Sequence, residues 1–166
     1  IFPRDHQLDL IKKFKNTLPD DGVGTNYLVQ HTTGSGKSYS IGWLAHTLTS
    51  LYKDVTDNER MFSSIIVVTD RKVLDKQLQN TIESIQRVPG VVNNVTQGAK
   101  QLKEFIEDGK AIIVTTIQKF PYIIDDISKL NQKSFAVIID EVHSSQTGEL
   151  ATAMKTALNL EISDDE

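Results

Sequence analysis

Runs of apolar residues alternate along the chain with segments in which apolar residues recur at helical spacing. Four runs are rich in Val, Ile and Leu and are bordered by polar or turn residues, a pattern that predicts buried strands. These four runs are residues 26–30, 64–69, 111–115 and 135–139. A weaker run at residues 91–95 predicts a further short strand.

Helices are predicted between these strands. Leu8, Ile11 and Phe14 share one face of a helix over residues 2–18, which the segment from Pro19 to Gly22 is expected to end. The other predicted helices run from residue 37 to about 51, through residues 74–85, over residues 99–107 and over about 148–160. Strands that alternate with helices predict an α/β domain with a doubly wound, mostly parallel sheet in three α/β/α layers. Functional groups are then expected at the carboxyl ends of the strands.

Composition adds few constraints to this picture. The 166 residues include 39% hydrophobic residues, which is enough for the core of one domain, and no cysteine that could form disulfides or bind metal. No apolar run is long enough to span a membrane, so a cytoplasmic location is expected. The net charge is −4, so any contact with DNA has to be local. Because the first residue is Ile1, the chain is expected to be part of a longer protein.

The segment His31-Thr32-Thr33-Gly34-Ser35-Gly36-Lys37-Ser38 lies between a predicted strand and a predicted helix, the context that a phosphate-binding loop requires. The glycines allow backbone N–H groups to converge on an anion, and the start of the helix adds unpaired donors. Lys37 is then placed to reach the β- and γ-phosphates of ATP, and the Ser38 hydroxyl to bind Mg²⁺. The alternative is a Gly- and Ser-rich turn that happens to contain a lysine.

A second candidate half-site follows the strand at residues 135–139, which ends in Asp140 and Glu141. Adjacent carboxylates after a buried strand suggest a cation nearby, because burial of unpaired charge is costly. Asp140 is suited to hold Mg²⁺, partly through water, and Glu141 to orient the water that attacks the γ-phosphate. The alternative is a pair of solvated acids at the start of a loop.

These two half-sites resemble motifs of superfamily 2 helicases and translocases. Residues 33–38 are similar to the first motif of that superfamily, and Asp140-Glu141-Val142-His143 is similar to its Asp-Glu-x-His box, in which Ala is usual in place of Val142. Longer segments resemble the motor (R) subunit of type I restriction enzymes. They are residues 68–78, 115–120 and 140–150, and the resemblance extends from Arg4 to about Leu150.

The resemblance implies further roles. Thr33, Gly34, Ser35 and Gly36 would complete the phosphate loop with Lys37 and Ser38. Arg4 and Gln7 would recognise adenine, since an amide can donate to and accept from one edge of the base. His143 would connect the nucleotide site to the DNA site. The residues implied to contact the DNA backbone are Arg71, Lys72, Thr115 and Thr116. The alternatives are an exposed helix residue at Gln7, a neutral packed histidine at 143, and ordinary loop or strand residues at the DNA positions.

The resemblance therefore identifies the chain as the first RecA-like domain of an ATP-dependent DNA translocase. The implied ligands and partners are ATP, Mg²⁺, double-stranded DNA, methyltransferase and specificity subunits, and a second RecA-like domain. That second domain and the nuclease domain of such subunits are not expected within these residues, so the piece alone should hydrolyse ATP very slowly. Alternatives are another superfamily 2 helicase acting on DNA or RNA, a nucleotide-dependent switch, and an inert regulatory fold.

Overall fold

The computed structural model describes residues 2–21, 36–53, 56, 58–69, 72–86, 88–116, 118–119 and 134–139. Its helices are α1 (Asp5–Asp21), α2 (Lys37–Thr49), α3 (Lys72–Ile85) and α4 (Ala99–Glu107). Its strands are β1 (Ser64–Thr69), β2 (Val92–Asn94), β3 (Ile112–Thr116) and β4 (Phe135–Ile139). Among these residues, no helix is both long enough and apolar enough to cross a membrane.

The four described strands form one sheet in the order β2-β3-β1-β4, and every pairing is parallel. In the register, Thr69 of β1 lies beside Thr116 of β3, and Val68 lies beside Ile139 of β4. The carboxyl ends of these three strands therefore lie along one edge of the sheet. This arrangement confirms the predicted parallel α/β sheet.

Helices cover both faces of this sheet, as the continuous apolar strands require. Ile65 and Val67 of β1 point toward one side, where they join a core formed with α1, α2 and α3. Ile66 and Val68 point toward the other side, where they pack with α4. All four β1 side chains are at most 1% exposed. The described part of the chain thus has three layers, as predicted.

Most boundaries follow the sequence pattern. The strands β1 and β4 and the helix α4 have the predicted limits, β3 is shifted by one residue, and β2 is shorter than the predicted run. The helix α1 begins at Asp5 rather than at residue 2, and it continues through Pro19 to Asp21. A proline lacks the N–H for an i→i−4 bond, and here the missing bond would join Pro19 to Lys15, both of which are exposed. The strand predicted at residues 26–30 and the helix predicted at about 148–160 lie outside the described residues.

The buried face of α1 differs from the prediction by one position. Ile11 and Phe14 are buried as expected, whereas Leu8 is 38% exposed. The position that completes the face is Gln7, which is 3% exposed and lies one turn before Ile11; Leu18 continues the same stripe. The prediction for Leu8 was wrong because it counted only apolar residues, and the face begins with a polar one.

Candidate functional site

The start of α2 has the backbone geometry expected at the end of a phosphate loop. Gly36, directly before the helix, has φ 82° and ψ 41°, a left-handed conformation that glycine adopts without strain. Lys37 and Ser38 are the first two residues of α2 and are half-buried. Among the described residues no side chain caps this helix, and its first turn contains no acidic residue. The helix therefore presents its positive end to an anion without a competing carboxylate in its own first turn.

The carbonyl oxygen of Gly36 connects this turn to two helices. It accepts the first helical hydrogen bond of α2, from the Ser40 N–H at 3.1 Å, and the Ser40 hydroxyl lies 3.5 Å away. It also accepts a hydrogen bond of 3.0 Å from Nε2 of Gln7, on α1. The predicted adenine-recognition residue and the end of the predicted phosphate loop are thus in direct contact, although they are 29 positions apart.

The Gln7 side chain is held at both ends of its amide. Its Oε1 accepts the backbone N–H of Arg4 at 2.9 Å, which is the bond that an N3 residue makes to the residue before a helix. Since Oε1 faces a donor and Nε2 faces an acceptor, the orientation of the amide is fixed. The Arg4 side chain is exposed, and its Nη1 lies 3.9 Å from the position that a Cβ would take at Gly36. Arg4, Gln7, Gly36, Lys37 and Ser38 therefore form one cluster of predicted nucleotide residues.

The residues predicted to contact DNA are differently placed. Thr115 and Thr116 end β3 and are 0% and 2% exposed, and the Thr115 hydroxyl lies 3.4 Å from the carbonyl oxygen of Thr116. Their side chains are packed into the domain, so the structure offers no exposed hydroxyl for a phosphate at either position. Lys72 is the first residue of α3, and Arg71 lies outside the described residues.

The other predicted site residues also lie outside the described residues. They are Thr33, Gly34 and Ser35 of the loop, and Asp140, Glu141 and His143 after β4. Asp140 follows Ile139, the last residue of β4, in the sequence. The described part of the candidate site therefore consists of the residues at the start of α1 and at the start of α2.

Sequence reasoning did not identify Ser40 as part of this arrangement. Ser40 is 3% exposed, and both its N–H and its hydroxyl face the Gly36 carbonyl. Its position four residues after Gly36 was a usable signal, because residues i and i+4 are hydrogen-bonded in a helix. No local signal indicated the contact of Gln7 with Gly36, which depends on the packing of α1 against α2.

Comparison with known proteins identifies the domain. Residues 6–162 match the sequence model of the SWI2/SNF2 ATPase family, which is nearly the whole chain. The chain belongs to the SWI2/SNF2 ATPase family. Its fold is accordingly RecA-like, and its class is that of an ATP-dependent hydrolase, as the sequence motifs predicted.

Relatives of this SWI2/SNF2 ATPase domain are named as endonuclease subunits of type I restriction enzymes. It is 36% identical over 145 residues to the C-terminal part of the putative type I restriction enzyme MpnIIP endonuclease subunit, from Mycoplasma pneumoniae. It is 30% identical over 142 residues to the SsaAORF53P endonuclease subunit of Staphylococcus saprophyticus, and 33% identical over 124 residues to the HindI endonuclease subunit of Haemophilus influenzae. These alignments cover 82%, 82% and 71% of the chain, but 65%, 14% and 11% of the relatives. The resemblance to R subunits is thereby confirmed, and the chain spans less than two thirds of each of these relatives.

Proposed function

We propose that this SWI2/SNF2 ATPase domain is the first RecA-like motor domain of a type I restriction enzyme R subunit. In such an enzyme, ATP hydrolysis drives movement along double-stranded DNA before cleavage by a nuclease domain. The observation that carries the proposal is the similarity to relatives named as type I endonuclease subunits over more than 70% of the chain. The left-handed turn at Gly36 before Lys37 and Ser38 supports the nucleotide part of it.

In this proposal Lys37 binds the β- and γ-phosphates. The Ser38 hydroxyl and Asp140 would hold Mg²⁺, and Asp140 would do so partly through water. The half-buried start of α2, with no acidic residue in its first turn, fits a magnesium–triphosphate group. The bound Mg²⁺ would neutralise charge that develops on the phosphates. Glu141 orients the attacking water. Loss of the charged group of Lys37, Asp140 or Glu141 by substitution should therefore abolish ATP hydrolysis.

Adenine recognition is assigned to Arg4 and Gln7. The two hydrogen bonds of the Gln7 amide leave one lone pair on Oε1 and one N–H on Nε2, and because Gln7 is only 3% exposed, a base reaches them only when neighbouring side chains move aside. An acceptor beside a donor matches the N6 amino group and the N7 atom of adenine. Guanine presents two acceptors, O6 and N7, on the same edge and matches this pair less well. The proposal therefore includes a preference for ATP over GTP.

The proposed partners are double-stranded DNA, methyltransferase and specificity subunits, and a second RecA-like domain that supplies an arginine to the transition state. Arg71 and Lys72 stay as proposed contacts to the DNA backbone, and His143 as the connection between the two sites. Thr115 and Thr116 also stay as proposed contacts, and because their hydroxyls are buried, such a contact requires their side chains to become exposed.

The test is ATPase activity of the full-length protein assembled with the modification subunits encoded beside it. Turnover is measured with DNA that carries unmethylated target sites and with the same DNA after methylation. The proposal predicts stimulation by unmethylated DNA alone and its loss in Lys37→Ala. Stimulation by any single strand or RNA, whatever its methylation, would instead indicate a general helicase. No stimulation by any nucleic acid would contradict a motor function.

A further inference from the structure

The side chain of Gln7 connects α1 to the end of the predicted phosphate loop. Its Nε2 donates to the Gly36 carbonyl at 3.0 Å, and its Oε1 accepts the Arg4 N–H at 2.9 Å. We infer that Gln7 is a positioning residue that holds Gly36, and through it Lys37 and Ser38, in place for the phosphates independently of any contact with a base. This inference rests on the proposed nucleotide function, and it assigns to Gln7 a role separate from recognition of adenine.

Gly36 is the position at which such a restraint has most effect. Its φ of 82° lies in the left-handed region, and the direction of the next two residues depends on that turn. The Ser40 N–H bond to the same carbonyl belongs to α2 itself. Among the described residues, the Gln7 amide is the hydrogen-bond donor that reaches this carbonyl from another element. It therefore restrains the turn relative to the domain and not only relative to its own helix.

The element that carries Gln7 is itself fixed. Ile11, Phe14 and Leu18 bury the same face of α1 that begins with Gln7, and Phe14 and Leu18 belong to the core that contains β1 and α2. Gln7 is 3% exposed, so its bond to Gly36 is shielded from competing water. A polar group buried at this depth is costly unless it is paired, and both ends of this amide are paired. An apolar side chain of similar size would fill the space but would leave the Gly36 carbonyl without this donor.

The two roles of Gln7 predict different ligand dependence. A residue that only recognises adenine affects ATP and leaves ligands without adenine unchanged. A residue that positions the loop affects every ligand that uses the loop, including GTP and inorganic tripolyphosphate, which has no base. It also affects the protein when no ligand is added, because the Ser40 amide hydrogen bonds to the same Gly36 carbonyl that Gln7 restrains.

The experiment compares Gln7→Met with Gln86→Met in the full-length protein. Methionine approximates the size of glutamine without its hydrogen bonds or a new charge, and Gln86 is an exposed glutamine after α3. Dissociation constants are measured for magnesium complexes of ATP, GTP and tripolyphosphate, and amide hydrogen exchange is measured without ligand. If Gln7→Met does not fold, Gln7→Ala, which leaves room for water beside Gly36, replaces it.

The inference predicts that Gln7→Met weakens tripolyphosphate and GTP about fivefold, equivalent to about 1 kcal/mol, and speeds exchange of the Ser40 amide about tenfold. Gln86→Met should change neither. Weaker ATP binding with unchanged GTP, tripolyphosphate and Ser40 exchange would overturn the inference and leave Gln7 as a base contact alone. Failure of the wild-type protein to bind ATP would contradict the proposed function, while the exchange measurement would still decide whether Gln7 restrains the turn.

Discussion

Substitution of Gly36 by alanine adds one heavy atom, Cβ, at the candidate site. The left-handed backbone conformation at φ 82° costs a non-glycine residue about 1–2 kcal/mol. The added Cβ would also lie 3.0 Å from Nε2 of Gln7, which is too close for an unstrained contact. Displacement of that amide loses a hydrogen bond worth about 1 kcal/mol. Together these terms predict a cost of about 2–3 kcal/mol.

The chain offers a matched control at Gly90. It has nearly the same φ, 81°, but a Cβ there would meet no atom within 4 Å. Gly90→Ala should therefore lose only the backbone term in stability and should bind ATP normally. Gly36→Ala should show the whole cost of about 2–3 kcal/mol. The cost appears as a lower free energy of unfolding or, if the turn relaxes, as an ATP dissociation constant about 30- to 150-fold higher.

The assay is urea unfolding combined with titration of ATP in the presence of Mg²⁺. In a Gln7→Ala background, where Nε2 is absent, Gly36→Ala should cost about 1 kcal/mol less than in the wild type, and this difference is the coupling between the two residues. The reasoning is refuted if Gly36→Ala is no less stable than Gly90→Ala and binds ATP within about threefold of wild type.

Two further predictions concern the contact of α2 with α3. His46 is buried, and its Nε2–H donates to the Ile82 carbonyl at 2.8 Å. Because His46→Leu removes this hydrogen bond, it should lower the free energy of unfolding in urea by about 1 kcal/mol. An unchanged urea midpoint would contradict this prediction. At Gly42 a Cβ would meet the terminal methyl of Ile85 at 2.5 Å, which can rotate away, and the Cα of Ile82 at 3.5 Å. The free energy of unfolding of Gly42→Ala should therefore stay within about 0.5 kcal/mol of wild type. Gly42→Leu should lower it by about 2 kcal/mol, because the larger side chain overpacks the contact between the helices. Equal stabilities of the two variants would show that the helices can separate there.

The elements that sequence predicted well are those whose signal is local. The strand β1 is a continuous β-branched run with polar residues on both sides, and α4 carries Leu102 and Ile106 on one face between turn residues. Both have the predicted limits. The start of α2 directly after Gly36 was also predicted, because Gly-Lys-Ser after a predicted strand is typical of the start of a helix.

What the sequence could not supply depends on contacts between distant elements. The burial of Gln7 in place of Leu8 follows from the partner that Gln7 finds on Gly36, and no periodicity encodes that partner. The burial of Thr115 and Thr116 likewise follows from the packing of the sheet, whereas the resemblance implied contacts with the DNA backbone at these positions. Sequence patterns thus predicted the candidate groups, and packing determines which of the described ones are exposed.

The most direct measurement of the central claim is displacement of a fluorescent third strand from a DNA duplex by the assembled full-length enzyme. The third strand is bound at increasing distances from an unmethylated target site. The account predicts ATP-dependent displacement after a lag that grows in proportion to the distance, and no displacement by Lys37→Ala. Displacement without such a lag, or ATP hydrolysis with no displacement at any distance, would contradict a motor that moves along DNA.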